Sequence, residues 1–300
     1  MKKGKLSGTL AALVLLALLL LTRILPGTGG KAQEQDGTTA AETTAARPGQ
    51  WMEIPQTGSG DSRNLYTVNM TLDGIEQRNY SFLWNPEHLT ADWVAYPLCR
   101  GNIGEGKRSN TFGLNPDFTE YEQPVLERAY SRGNSGWYSR GHQIPSGDRR
   151  NYSANVQTFY GTNMTPQDDS LNVGAWGTLE NKVREWAKRC DTMYVVTGCT
   201  YDGYDGEYVY DNDRKKVAVP TGYYKALLRL SKGRYYGCAF AFENRPYHHN
   251  GYDPAWAMSL SELEGRTGLT FFPMLEQEVG AELYNKIKKE DPKTLNMWQH

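Results

Sequence analysis

Two kinds of hydrophobic order run along this chain, and their positions predict its elements. Residues 65–70 alternate apolar and polar side chains, as a half-buried strand does. Weaker strands are predicted over 79–84 and 92–96, and a β-rich run over 192–197 closes on Gly198. Three further strands are predicted over 216–220, 223–230 and 235–242, the last two joined by a turn at Ser231-Lys232-Gly233. Residues 138–142 read as extended, with Pro145 ending the run, and 101–115 and 201–213 read as loops, the second as a hairpin tip if not a loop. Helical order appears where Leu171, Ala175, Leu179, Val183 and Ala187 recur every four residues. That ladder predicts one helix, capped by Asp169 or Ser170 and running to Lys188. A short helix over 259–264 and an amphipathic one over 275–289 follow; Lys286, Lys288 and Lys289 suit the negative end of the latter. Strands at both ends with helices inserted between them predict an α+β fold, with a mainly antiparallel central sheet and flanking helices.

The N-terminal sixty residues follow neither pattern. Lys2, Lys3 and Lys5 precede an unbroken apolar run, Leu10 to Leu21. Such a run is shorter than the ~20 residues that span a bilayer, so residues 1–26 read as a signal peptide. Extending the apolar segment over 6–25 admits only Arg23, which leaves a retained membrane anchor as the alternative. Either reading puts the rest outside the cytoplasm: secreted, periplasmic or membrane-anchored. Residues 27–60, rich in Thr, Ala, Gly, Gln and Pro, read as a disordered linker, and 61–300 as the folded domain.

Composition narrows the class. With 39% hydrophobic and 12% aromatic residues, 20 of them tyrosines, the chain can bury a real core rich in β-structure. The formal net charge is -1. A globally basic nucleic-acid binder is excluded, so any attraction for phosphate must come from a local cleft. Four cysteines (Cys99, Cys190, Cys199, Cys238) permit three disulfide pairings in an oxidising compartment, with Cys199 and Cys238 on strand-like runs as candidate neighbours. None forms a Cys-x-x-Cys pair, which argues against a zinc ribbon.

The chemistry-bearing residues cluster in the middle of the chain. In Ser139-Arg140-Gly141-His142, Arg140 and His142 lie two apart and share one side of an extended segment. A neighbouring arginine disfavours imidazolium, which keeps His142 able to accept a proton near neutral pH. In the predicted helix Asn172, Glu180 and Arg184 span a sector of roughly 120°, at about 100° per residue. An amide oxygen such as that of Asn172 suits a hard, largely hydrated cation. A base, a neutral metal ligand, a carboxylate and guanidiniums are the parts that hydrolyse a phosphodiester. His248 and His249, in a loop-like stretch, read as surface residues.

These residues resemble the DNA/RNA non-specific endonucleases, the ββα-metal-finger family. The family signature Asp-Arg-Gly-His, with Pro three positions on, is matched by Arg140-Gly141-His142 and Pro145. Asn163-Met164-Thr165-Pro166-Gln167 and the run Asn172-Val173-Gly174-Ala175-Trp176-Gly177-Thr178-Leu179-Glu180, with Arg184 beyond it, match the second block in order and spacing. The resemblance implies a ββα-metal-finger active site and Mg²⁺ or Mn²⁺ as cofactor, with DNA and RNA as substrates. It implies His142 as general base and Asn172 as the direct metal ligand. On the same resemblance Glu180 would order a water of the metal's shell and Asn163 would help shape the site, while Arg140, Arg184 and, by spacing, Arg108 would stabilise charge on the phosphate. Ser139 departs from the family aspartate and cannot hold Arg140 by charge. That departure supports the alternative of a catalytically silent, surface polyanion-binding protein. A carbohydrate-active protein is a third reading, but no carboxylate pair accompanies His142.

Overall fold

Six antiparallel strands form the central sheet of the computed structural model. The strands of the chain are β1 (Gln56–Thr57), β2 (Leu65–Leu72), β3 (Ile75–Asn85), β4 (Thr90–Leu98), β5 (Tyr130–Ser131), β6 (Trp137–His142), β7 (Met164–Gln167), β8 (Thr192–Thr200), β9 (Tyr208–Tyr210), β10 (Lys216–Ala218), β11 (Gly222–Ser231), β12 (Arg234–Glu243) and β13 (Leu269–Thr270). The central sheet runs β12-β11-β8-β4-β3-β2; a second sheet runs β10-β9-β5-β6-β7, and β1 pairs with β13. The structure describes residues 51–57, 64–72, 74–104, 106–247 and 251–299. The signal or anchor over 1–26, most of the linker, and His248 and His249 lie outside them.

The α+β reading with a mainly antiparallel sheet holds. Period-two alternation along the central strands builds a core on each face. Met193, Val195, Leu227, Cys238 and Phe240 point into one; Val196, Ala226, Leu228 and Ala239 point into the other. The strands β11 and β12 meet in a tight hairpin at Lys232-Gly233, both at positive φ, where a turn is predicted.

The helices are α1 (Tyr152–Gln157), α2 (Asp169–Leu171), α3 (Gly177–Ala187), α4 (Leu260–Thr267), α5 (Met274–Val279) and α6 (Ala281–Lys289). Each long helix predicted is in fact broken. Between α2 and α3 the turns widen over Asn172–Trp176, with Gly174 at φ -94° and ψ -114°. The cap is Asp168, whose side chain accepts from the Leu171 N–H. The apolar ladder nonetheless packs: Leu171, Ala175, Leu179, Val183 and Ala187 are all buried. Gly280, at φ +80°, separates α5 from α6.

Two expectations need correction. The fold does not begin at Asp61: Ile54 is buried, the Arg78 guanidinium stacks 3.8 Å over Trp51 and pairs with Glu53, and β1 joins β13. Polar, Pro-containing composition hid an edge segment whose few apolar anchors dock on the sheet. Cys199 and Cys238 are not neighbours, because β11 lies between their strands: Cys199 pairs with Tyr223 and Cys238 with Leu227. Two strand spacings of about 4.8 Å already exceed disulfide reach. All four cysteines are free thiols.

A variant lacking residues 1–57 should be about 2–4 kcal/mol less stable than one lacking only 1–50, because Ile54 burial and the partners of Arg78 are lost. Urea denaturation measures this; coincident curves would show that the segment adds nothing.

Candidate active site

The site is assembled where β6 and β7 pair and feed the helices behind them. The register sets His142 opposite Met164 and Gly141 opposite Thr165. A Cβ on Gly141 would lie 2.6 Å from Gln167 Oε1 and 2.7 Å from Gln167 Cβ. The glycine is therefore required by the close approach of β7. Beyond His142, the buried Asn163 carboxamide accepts from Ile144 N–H (3.0 Å) and donates to Ile144 O (3.0 Å) and Thr158 O (2.7 Å). Asn163 is thus consumed by backbone and does not face the cavity; its contribution is to hold the exit of β6.

A cavity of about 490 Å³ opens beside this junction, lined by His142, Arg108, Arg140, Asn172, Glu180 and Arg184 together. These are six of the seven predicted site residues. A separate cavity of about 790 Å³ contains none of them.

His142 sits with its ring edge-on to Phe159 at 5.0 Å and near Phe112 at 6.0 Å. Its Nε2 is buried and has no hydrogen-bond partner among the described residues. Burial, then the Arg108 and Arg140 charges, push the imidazole down to about 3, against a hydrogen bond to the Arg140 backbone. Arg140 is held without any acid. Its Nη1 donates to Leu126 O (2.9 Å) and Glu127 O (2.8 Å), and its guanidinium stacks 3.5 Å over Phe112. Ser139 instead donates to Asp169 at 2.7 Å. Two carbonyls and the Phe112 ring thus hold Arg140 where Ser139 offers no charge.

On the opposite wall, Arg184 donates to Asp148 Oδ1 at 2.9 Å, and Tyr96 donates to Asp148 Oδ2 at 2.8 Å. Glu180 forms no ion pair among the described residues. Burial pushes its carboxyl up, with Lys225 and then Arg184 pulling it back. Lys225 is itself buried on β11, donating to Thr197 Oγ1 at 2.7 Å and lying 4.6 Å from the Trp176 ring centre. The Asn172 carboxamide, at the widened turn between α2 and α3, is engaged by no other described residue. No group of three or more His, Cys, Asp or Glu capable of holding a metal occurs among the described residues.

Asp148, Lys225, Phe112, Trp137 and Arg150 also belong to the site or its support, and sequence reasoning missed them. The run Asp148-Arg149-Arg150, six residues past His142, was the available signal. Arg149, its middle member, points into the core and donates to Asn79 and Pro97.

The similarity to known proteins concerns the same region. The family model described as DNA/RNA non-specific endonuclease matches residues 61–278. The mitochondrial nuclease EXOG of Xenopus laevis is 30% identical over 235 residues, covering 72% of this chain and 63% of that protein. The chain thus spans under two thirds of that relative. A nuclease of Serratia marcescens is 31% identical over 221 residues, covering 71% of this chain and 79% of its own length. Among solved structures, the EndoG/EndoGI complex matches with a TM-score of 0.56 and 22% identity, over 70% of this chain and 87% of that one; this similarity concerns the fold alone.

Gly141→Ala should cost about 1–3 kcal/mol by forcing β6 away from Gln167. An unchanged denaturation midpoint would show that the two strands part freely.

Proposed function

The chain belongs to the DNA/RNA non-specific endonuclease family, and from that premise we propose that it is a metal-dependent endonuclease cutting DNA and RNA with little sequence preference. The observation that carries this reading is the buried, unpartnered His142 Nε2 in one cavity with Asn172, Glu180 and several guanidiniums. A base facing a positively charged, oxygen-donor site suits attack of water on a phosphodiester.

The residues fit Mg²⁺ or Mn²⁺. One free carboxamide and one carboxylate form a hard, sparse oxygen set, which suits an ion that keeps most of its waters; zinc would demand His or Cys ligands. Asn172 would be the direct ligand, with Glu180 beside it. When bound, the ion supplies positive charge to the phosphate and the leaving oxygen. His142 takes the proton from the attacking water. Arg108, Arg140 and Arg184 offset charge on the pentavalent phosphorus, Arg140 pre-set by Phe112 and two carbonyls and Arg184 by Asp148. Asn163 is a positioning residue that keeps the end of β6 in register. At the mouth, Trp137 is 55% exposed and offers a face for an unstacked base. Such a site reads backbone rather than base edges.

The silent polyanion-binding alternative drew on Ser139 alone, and the anchoring of Arg140 by groups other than an acid removes its support. The apolar run at 10–21 supports placing the domain outside the cytoplasm, either released or held through residues 6–25.

In a plasmid-nicking and RNA-degradation assay, cleavage should require Mg²⁺ or Mn²⁺ and stop with chelator. His142→Ala should slow it by about 10²–10⁴-fold; wild-type speed in that variant would refute the mechanism. The folded imidazole gains its proton only near pH 3, whereas an unfolded one does so near about 6.5. The base therefore stays available on the acid side of neutrality, and a kcat/KM profile should show no histidine limb between pH 5 and 7. By the same sign, this site favours the folded state fully above about 6.5 and loses that contribution as pH falls toward 3. A limb near 6.5 that disappears in His142→Ala would contradict this.

A further inference from the structure

The cavity holds four guanidiniums, and the mechanism above uses three. The fourth, Arg150, is held in place by the chain that folds over it. Its backbone N–H donates to Asn102 O at 3.0 Å, and its Nη1 donates to Gly106 O at 3.1 Å. Gly106 approaches so closely that a Cβ there would lie 1.8 Å from the Arg150 carbonyl oxygen; only glycine fits. Held this way, Arg150 lines the cavity, its Nε is buried with no hydrogen-bond partner, and it forms no ion pair among the described residues. An unmet buried donor on a guanidinium is costly. The planar fork matches an anionic oxygen pair.

Within the cavity Arg150 hangs from the 102–106 segment, to which Asn102 O and Gly106 O tie it, whereas Arg140 shares β6 with the base. The charges point the same way. Asp148 neutralises Arg184, which leaves Arg108, Arg140 and Arg150 against Glu180 before any divalent cation is counted. One phosphodiester, with a single negative charge, does not balance that excess.

We propose that Arg150 binds the phosphate adjacent to the one being cut, so that the enzyme engages a polynucleotide segment through two consecutive phosphates. This rests on the nuclease reading above and extends it. Arg150 is then a substrate-binding residue outside the reacting set, and it favours chains over substrates with a single phosphodiester.

Two measurements test it on the full chain. The first compares kcat/KM, with Mg²⁺, for TpT (one phosphodiester) and TpTpT (two) in wild type, Arg150→Gln and Arg150→Lys. The wild-type preference for TpTpT should shrink by about tenfold in Arg150→Gln, chiefly through KM, and be partly kept in Arg150→Lys. The second measures binding of a labelled oligothymidine in EDTA as salt is varied. Losing one phosphate contact should reduce the slope of log K against log salt by about 0.7 in Arg150→Gln, and leave it near wild type in Arg150→Lys. Equal losses on both substrates, or an unchanged slope, would overturn the assignment. If wild type neither nicks plasmid nor degrades RNA, the nuclease reading fails, while the metal-free slope still decides whether Arg150 contacts a second phosphate.

Discussion

The pairing of β6 with β7 in one register is the constraint on which the rest of this protein depends. Gly141 lets Gln167 approach so closely that the strands cannot slide, since a one-residue slip would put a side chain where none fits. Asn163 then ties the chain beyond His142 to the start of β7 through two hydrogen bonds with the Ile144 backbone, and a third reaches Thr158 O. These contacts fix the imidazole at the end of one strand. They also fix the point at which the next segment, with Asn172, leaves the other. Two groups thirty residues apart meet in one cavity because the ladder between them has a single solution.

Around that junction the molecule concentrates positive charge that its composition conceals. A chain of formal net charge -1 presents four guanidiniums to one cavity. It keeps them apart from most of its carboxylates, admitting Glu180 and, behind Arg184, Asp148. The supporting wall is costly in itself: Lys225 and Asp148 are buried, and buried charges are retained only where partners satisfy them. Tyr96, Thr197 and the Trp176 ring supply those partners. Arg140 shows a different solution, in which two carbonyls and an aromatic face replace the acid its relatives' signature places at position 139.

Much of the architecture was legible in the sequence because local pattern and global burial agree. The strands of the central sheet and the ladder from Leu171 to Ala187 follow from periodicity, and the packed positions are the predicted ones. Of the second sheet, only the extended run at 138–142 and the strand at 216–220 were legible. Several of its strands are two to four residues long, too short to show a period, and they exist only because neighbours pair with them. The breaks at 172–176 and at Gly280 were equally hidden, since an apolar stripe with a four-residue spacing tolerates a widened turn. The same limit explains residues 51–57, where three anchoring side chains in a polar stretch carry no pattern.

By itself the sequence determined which residue types were available and in what order: an imidazole beside an arginine, an amide, a carboxylate and a further arginine at fixed spacings, together with the hydrophobic rhythm that selects an antiparallel α+β fold. Only the tertiary structure decided which of them face one another. It turned Asn163 and Arg149 inward as scaffold and Arg150 outward into the cavity, although Arg149 and Arg150 are consecutive and chemically identical. Spacing along the chain constrains direction only within a regular element. In the irregular segment after His142, each side chain's direction is set by the backbone carbonyls, aromatic faces and glycines that distant segments bring against it.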